Sequence, residues 1–206
     1  MTLTPDELLT TTRAVRKRLD LTRPVDRSVI AECVRIAQQA PNGSGLEGCH
    51  FVVVTDQDLR ARLGDLYRQG GEEYLASPRS PSDPKLRASA GYLIEHIAEV
   101  PVHVIPCVEG RTEGSTIAQQ SGRWGTIAPA GWSFMLAARA RGLGTVWTTF
   151  HLPRERDAAE LLGIPFERVM QAALIPVAHT IGDEFRPARR RPVEEILHWD
   201  RWPAPA

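Results

Sequence analysis

Cysteine is scarce. Cys33, Cys49 and Cys107 are the three in 206 residues, widely spaced and odd in number, with no C-x-x-C pair among them. This excludes a disulfide framework, a dithiol redox motif and a cysteine zinc site, and a reducing cytoplasm is the expected location. Long apolar runs are also missing: those at 51–54, 100–108 and 173–178 fall far short of the roughly 20 residues a membrane-spanning helix needs. The opening MTLTPDELLTTT has neither a basic start nor a continuous apolar core, so no signal peptide is expected. Nor is there an excess of one charge, since 25 basic residues balance 25 acidic ones. No global field therefore draws the surface onto nucleic acid or an anionic membrane, and neither is an expected partner. H-E-x-x-H, G-x-S-x-G and the P-loop are absent, and the six histidines show no ligand spacing, so no metal is expected.

What is present is an ordinary globular composition, 42% apolar and 24% charged. At this length it predicts one domain spanning 1–206 that buries its own core. Thr4, Pro5 and Glu7 predict a capped helix over 5–12. Asp26 caps a second, with Val29, Ile30, Cys33, Ile36, Ala37 and Ala40 at helical spacing before Pro41. A strand is expected at 50–55, then a helix capped by Asp56. The Gly-, Pro- and Ser-rich stretch 70–84 reads as a long loop or lid, followed by a helix carrying Leu86 to Ile97. A strand at 102–108 precedes a helix over 116–141 that is apolar nearly all round, as in a helix buried in a fold or an interface. Strands at 145–150 and 169–178, a helix at 153–162 and a short helix at 192–198 complete the chain. Helices and strands mix without strict alternation, which points to α+β.

Gly43-Ser44-Gly45-Leu46-Glu47-Gly48 matches G-x-G-x-x-G, but the dinucleotide fingerprint needs a strand before it and a helix after it. Here a helix precedes and a strand follows, so the glycines fit close approach of the backbone to something flat or to another subunit. Two arginine clusters, Arg13/Arg16/Arg18 and Arg186/Arg189/Arg190/Arg191, carry guanidinium forks suited to phosphate. Composition alone leaves open whether they converge or are solvated faces.

Several stretches, in their order and at their spacings, carry a resemblance. They are Thr12-Arg13-Ala14-Val15-Arg16, Ala40-Pro41-Asn42-Gly43-Ser44 before the strand His50-Phe51-Val52-Val53-Val54, and Arg141-Gly142-Leu143-Gly144-Thr145 with Trp147-Thr148-Thr149. Further on come Leu162-Gly163-Ile164-Pro165, Pro176-Val177-Ala178-His179, and Arg190-Arg191-Pro192 with Glu194-Glu195 and His198-Trp199. Over nearly its whole length the chain resembles the FMN-dependent nitroreductase family. The resemblance implies an α+β fold with a central mixed or antiparallel sheet flanked by helices, in an intertwined homodimer with FMN at each subunit interface. It implies that Arg13 lies near the flavin phosphate and ribityl chain, that Ala14 belongs to the same binding motif, and that Arg16 sits beside the N1/O2 edge. Pro41, Asn42 and Ser44 match the loop that reaches the flavin from the partner subunit, and Thr148 and Thr149 match the strand end near N5. Arg190, with Arg189 as its neighbour, matches the phosphate contacts. The implied activity is ping-pong electron transfer from NAD(P)H to a nitroaromatic, quinone or similar electron-poor acceptor, with no protein acid or base required. Segments 70–84 and 109–120 are expected to shape the acceptor pocket. The chain departs from the family at Thr12, Ala14, Gly45 and Glu47, which leaves open a flavin-sequestering protein of the same fold with little turnover.

Overall fold

A computed structural model describes residues 3–45 and 47–202 of the chain. Helix α1 (Pro5–Thr11) starts as Thr4 and Glu7 predict: the Thr4 hydroxyl accepts from the Glu7 N–H, and the Glu7 carboxylate accepts from the Thr4 N–H at 2.8 Å. Each satisfies an amide the helix start would otherwise leave unpaired. Helix α2 (Arg27–Ala37) is capped by Asp26, which accepts from the Ser28 N–H, and it buries Ile30, Cys33 and Ala37 along one stripe.

Five strands form one sheet: β1 (Cys49–Val54), β2 (Val102–Glu109), β3 (Leu143–Thr145), β4 (Val169–Gln171) and β5 (Ile175–His179). The order is β1-β2-β5-β3, with β4 paired to β2, and every ladder is antiparallel. Strand β2 is buried in all but its last residue because its alternating side chains serve both faces. Val102 and Val104 pack with Ile30 and Cys33 of α2 and with Phe134 and Met135 of α5 (Ile117–Arg139). On the other face Ile105 and Cys107 join Leu63 and Tyr67 of α3 (Gln57–Ala76), Leu93 of α4 (Pro84–His96) and Ala158 of α6 (Glu155–Leu162). An antiparallel sheet between two helical layers is the α+β class read from the sequence. Among the described residues no helix is long and apolar enough to cross a membrane.

The elements differ from expectation in four places. First, the stretch 70–84 is not one loop, because α3 continues through Gly70 and Gly71 to Ala76, leaving 77–83 as the connection. Those glycines serve close packing inside a helix: a Cβ at Gly70 would stand 1.9 Å from the Phe150 carbonyl oxygen. Second, the strand expected at 145–150 lies at 143–145, and of the rest Thr148 alone pairs, in an isolated bridge to Leu174. Third, 169–178 is two strands, because at 172–174 the Ala172 N–H turns to the Pro106 carbonyl and the Leu174 N–H to that of Thr148. Fourth, 192–198 holds a single 3-10 turn, Val193–Glu195, since no packed apolar surface stabilises so short a helix.

Two histidines sit fully buried on the α3 side of the sheet. His103 Nε2 lies 2.8 Å from the Ile97 carbonyl, and His151 lies close enough to His103 for that ring to disfavour charge on it. Burial pushes His103 from 6.5 down to about 4 and His151 down to about 3, so both stay neutral in the folded protein.

Three outcomes are expected. Gly70→Ala destabilises by about 1–3 kcal/mol in denaturant unfolding, because the new methyl meets a backbone carbonyl that cannot step aside. Gly91→Ala, in the same assay, is neutral or stabilising, since its Cβ meets open space in α4. Below pH 6.5 the unfolded chain protonates His103 and His151 while the folded one does not until about pH 4, so stability falls as pH drops through that window. Unfolding measured across it shows a shallower fall for His151→Gln than for the wild type; an unchanged slope contradicts the assignment.

Candidate functional site

The chain leaving α1 is drawn onto the edge of the sheet. Ala14 bridges Thr145 in parallel, the Val15 N–H donates to the Thr145 carbonyl at 2.9 Å, and Leu19 bridges Thr180. Val15 and Leu19 are buried, so Arg13 and Arg16 on the same strip are left half-buried. The three early arginines thereby separate in role. Arg18 is engaged within the fold: it donates to the Ile181 and Glu184 carbonyls at 2.8 Å each, with its guanidinium over the Phe185 ring. Arg13 and Arg16 have no carboxylate within ion-pair distance among the described residues. Half-buried guanidinium groups without a counter-charge suit an anionic or electron-rich ligand.

Arg16 opens into a cavity of about 500 Å³ that it shares with Thr148, Thr149, Trp147, Tyr74 and Arg79. Its floor is held from below. The Thr148 hydroxyl lies 2.8 Å from the Tyr67 hydroxyl in the core, and burial holds the Tyr67 phenol well above its ordinary range, hence protonated. The Phe150 ring stands between those of Tyr67 and Tyr74, at 5.3 and 5.1 Å. Trp147 lies against α5 at Gly131, where an added Cβ would sit 2.5 Å from the indole. Thr148 therefore rests on side chains that are themselves fixed, with the exposed Thr149 beside it, which favours a preformed site.

The other residues singled out from the sequence lie elsewhere in the chain. Pro41 and Asn42 are exposed, and the Ser44 side chain is outside the described residues. The Gly43 N–H donates to the Thr126 hydroxyl of α5 at 2.9 Å, pinning this loop against that helix. Glu47 borders a second cavity, of about 570 Å³, together with Glu109, Gln119 and Arg123. The expected acceptor-shaping segments thus divide: 70–84 contributes to the Arg16 cavity, and 109–120 to the second. Arg189 and Arg190 are exposed on the C-terminal stretch and line neither cavity.

Three lining or supporting residues were not singled out from the sequence: Tyr67, and Tyr74 and Arg79 within the 70–84 segment expected to shape the acceptor pocket. A signal for the first two was present, because Tyr67, Gly70, Gly71 and Tyr74 follow i, i+3, i+4, i+7 spacing on one face of α3. Among the described residues no cluster of His, Cys, Asp and Glu is arranged to hold a metal.

A curated relative from Methanothermobacter thermautotrophicus, provisionally named NADH dehydrogenase/NAD(P)H nitroreductase, is 23% identical over 204 residues, covering 95% of this chain and 86% of its own. Among solved structures, a mutant FMN- and NADPH-dependent nitroreductase from Sphigopyxis sp. strain HMH superposes with a TM-score of 0.72 at 22% identity, over 97% of this chain and all of its own. A protein from Desulfovibrio desulfuricans, provisionally named a nitroreductase and solved with FMN, gives 0.69 at 18% identity, over 98% and 100% of the two chains. The pattern characteristic of the Nitroreductase family matches residues 9–179, and the chain belongs to that family.

Proposed function

We propose that the protein is an FMN-dependent oxidoreductase that takes electrons from NAD(P)H and passes them to nitroaromatics, quinones or similar electron-poor acceptors. The observation that carries this reading is the cavity where half-buried, unpaired Arg16 meets Thr148 and Thr149. Bound FMN would supply reversible two-electron redox chemistry. Arg16, Thr148 and Thr149 would hold its ring system, and Arg13, with the neighbouring backbone of Ala14, its phosphate and ribityl chain. A cation beside the ring would stabilise the negative charge that arrives with two electrons. Reduction of a nitro group to a nitroso group consumes two electrons and two protons and releases water. A hydride from NAD(P)H brings both electrons and one proton, and solvent brings the other, so the chain itself need supply no acid. Donor and acceptor use the same slot in turn.

The site is built from two copies of the chain. Pro41, Asn42 and Ser44 belong to a loop fixed on α5, away from the Arg16 cavity of their own subunit, and reach the cavity of the partner. Two features support a homodimer. Helix α5 leaves Trp124 and Trp132 39% and 40% exposed, and the C-terminal stretch leaves Trp199 and Trp202 79% and 83% exposed. Tryptophan in such numbers on a surface marks an interface. Arg189 and Arg190 ride on that stretch and supply phosphate contacts once it is packed.

The test is the visible absorption spectrum of the purified protein, first alone and then under anaerobic titration with NADPH and NADH. Flavin bands that bleach with a nucleotide and return with a quinone or nitroaromatic are expected. Arg16→Gln is expected to weaken FMN retention about tenfold or more, as loss of a charge-assisted contact does. A protein that holds no flavin when FMN is supplied, or whose bands persist with both nucleotides, refutes the reading.

A further inference from the structure

Arg79 stands in the connection between α3 and α4, and this connection is braced at both ends. The Ser77 hydroxyl donates to the Tyr74 carbonyl at 2.7 Å, closing α3, and accepts from the Arg79 N–H at 3.3 Å. The Ser80 N–H donates to the Ser77 carbonyl at 3.0 Å, and Arg87 of α4 donates to the Ser80 hydroxyl at 3.0 Å. The Arg79 backbone is therefore held in place while the residue, exposed to solvent, lines the cavity that Arg16 also lines.

The charge balance of the cavity is one-sided. Its charged lining groups are Arg16, Arg79 and Glu73, and the Glu73 carboxylate is already engaged by Arg154 at 2.6 Å. Arg79 has no carboxylate within ion-pair distance among the described residues. If Arg16 serves the cofactor, Arg79 is the cation left for whatever enters beside it. Tyr74, Leu86 and Phe150 give the same cavity an aromatic and apolar wall. A flat ring suits that wall, and a carboxylate on the ring suits a guanidinium fork.

We infer that Arg79 selects the electron acceptor, and that the preferred acceptors are aromatic compounds carrying a carboxylate or similar single anionic group. This inference rests on the function proposed above and narrows its substrate class. The nicotinamide donor also carries anionic groups, and an arginine here reading the donor's phosphates is the alternative that the test must separate.

The probes are 4-nitrobenzoate and its uncharged counterpart nitrobenzene, titrated by calorimetry into the oxidised, FMN-loaded protein. Wild-type protein is expected to bind 4-nitrobenzoate about tenfold or more tightly than nitrobenzene, the margin one charge-assisted hydrogen bond provides. That margin should shrink with added salt. Arg79→Gln is expected to erase the preference and to lower the ratio of kcat/KM for 4-nitrobenzoate over nitrobenzene by a similar factor, with Arg79→Lys retaining part of both. Equal binding of the two probes by the wild type, or a preference that survives Arg79→Gln, overturns the inference. So does a variant that keeps the preference but shows a raised KM for NAD(P)H, since Arg79 would then read the donor. The flavin spectrum is recorded on every sample: intact bands without an acceptor preference refute this inference alone, whereas absent bands refute the function it rests on.

Discussion

The backbone bond from the Val15 N–H to the Thr145 carbonyl, at 2.9 Å, joins a segment near the start of the chain to a strand far along it. Everything proposed about the site depends on that joint, because it sets Arg16 beside Thr148 and Thr149. The bond alone is worth only about 1 kcal/mol net. Val15 and Leu19, buried on either side of it, each contribute about 1.5–3 kcal/mol by leaving water. Apolar burial thus holds the strip to the sheet, and the hydrogen bond decides its register. With Val15 and Leu19 turned inward, the cations of the same strip are pushed toward the surface. Of its three arginines, Arg18 closes onto the fold, whereas Arg13 and Arg16 meet no carboxylate among the described residues.

A second constraint follows from the loop at 41–48. It is tied to α5 through the Gly43 to Thr126 bond and borders a cavity other than the one Arg16 lines, and under the function proposed above these are halves of two different sites. The exposed tryptophans of α5 and of the C-terminal stretch lie on surfaces that a lone copy would leave wet. In the proposed homodimer, pairing two chains would complete both halves and cover those rings together.

Much of the fold was legible because its signals are local. The capping box of α1, the Asp26 and Asp56 caps and the apolar stripe of α2 are each written within a few residues. The failures came where tertiary contact overrides local rules. Gly70 and Gly71 look like a helix end, yet they continue α3 because Phe150 and Ile94 leave no room for a side chain. Likewise 145–150 carries a strand composition but mostly lacks a strand partner, since β5 pairs with 143–145 instead. Of the site, the Arg13–Arg16 motif and Thr148–Thr149 were recognisable as short motifs in order. Arg79 was not, because nothing within the 77–83 connection reveals which cavity it faces. That depends on the α3–α4 packing and on the hydroxyl of Ser77.

The central claim is a flavin site assembled from two copies of this chain. Sedimentation velocity of the FMN-loaded protein, followed at the flavin absorption band over a dilution series, tests it most directly. The account predicts that all bound flavin sediments with the dimer and that flavin is released as monomer appears. Flavin that sediments with a stable monomer would contradict it.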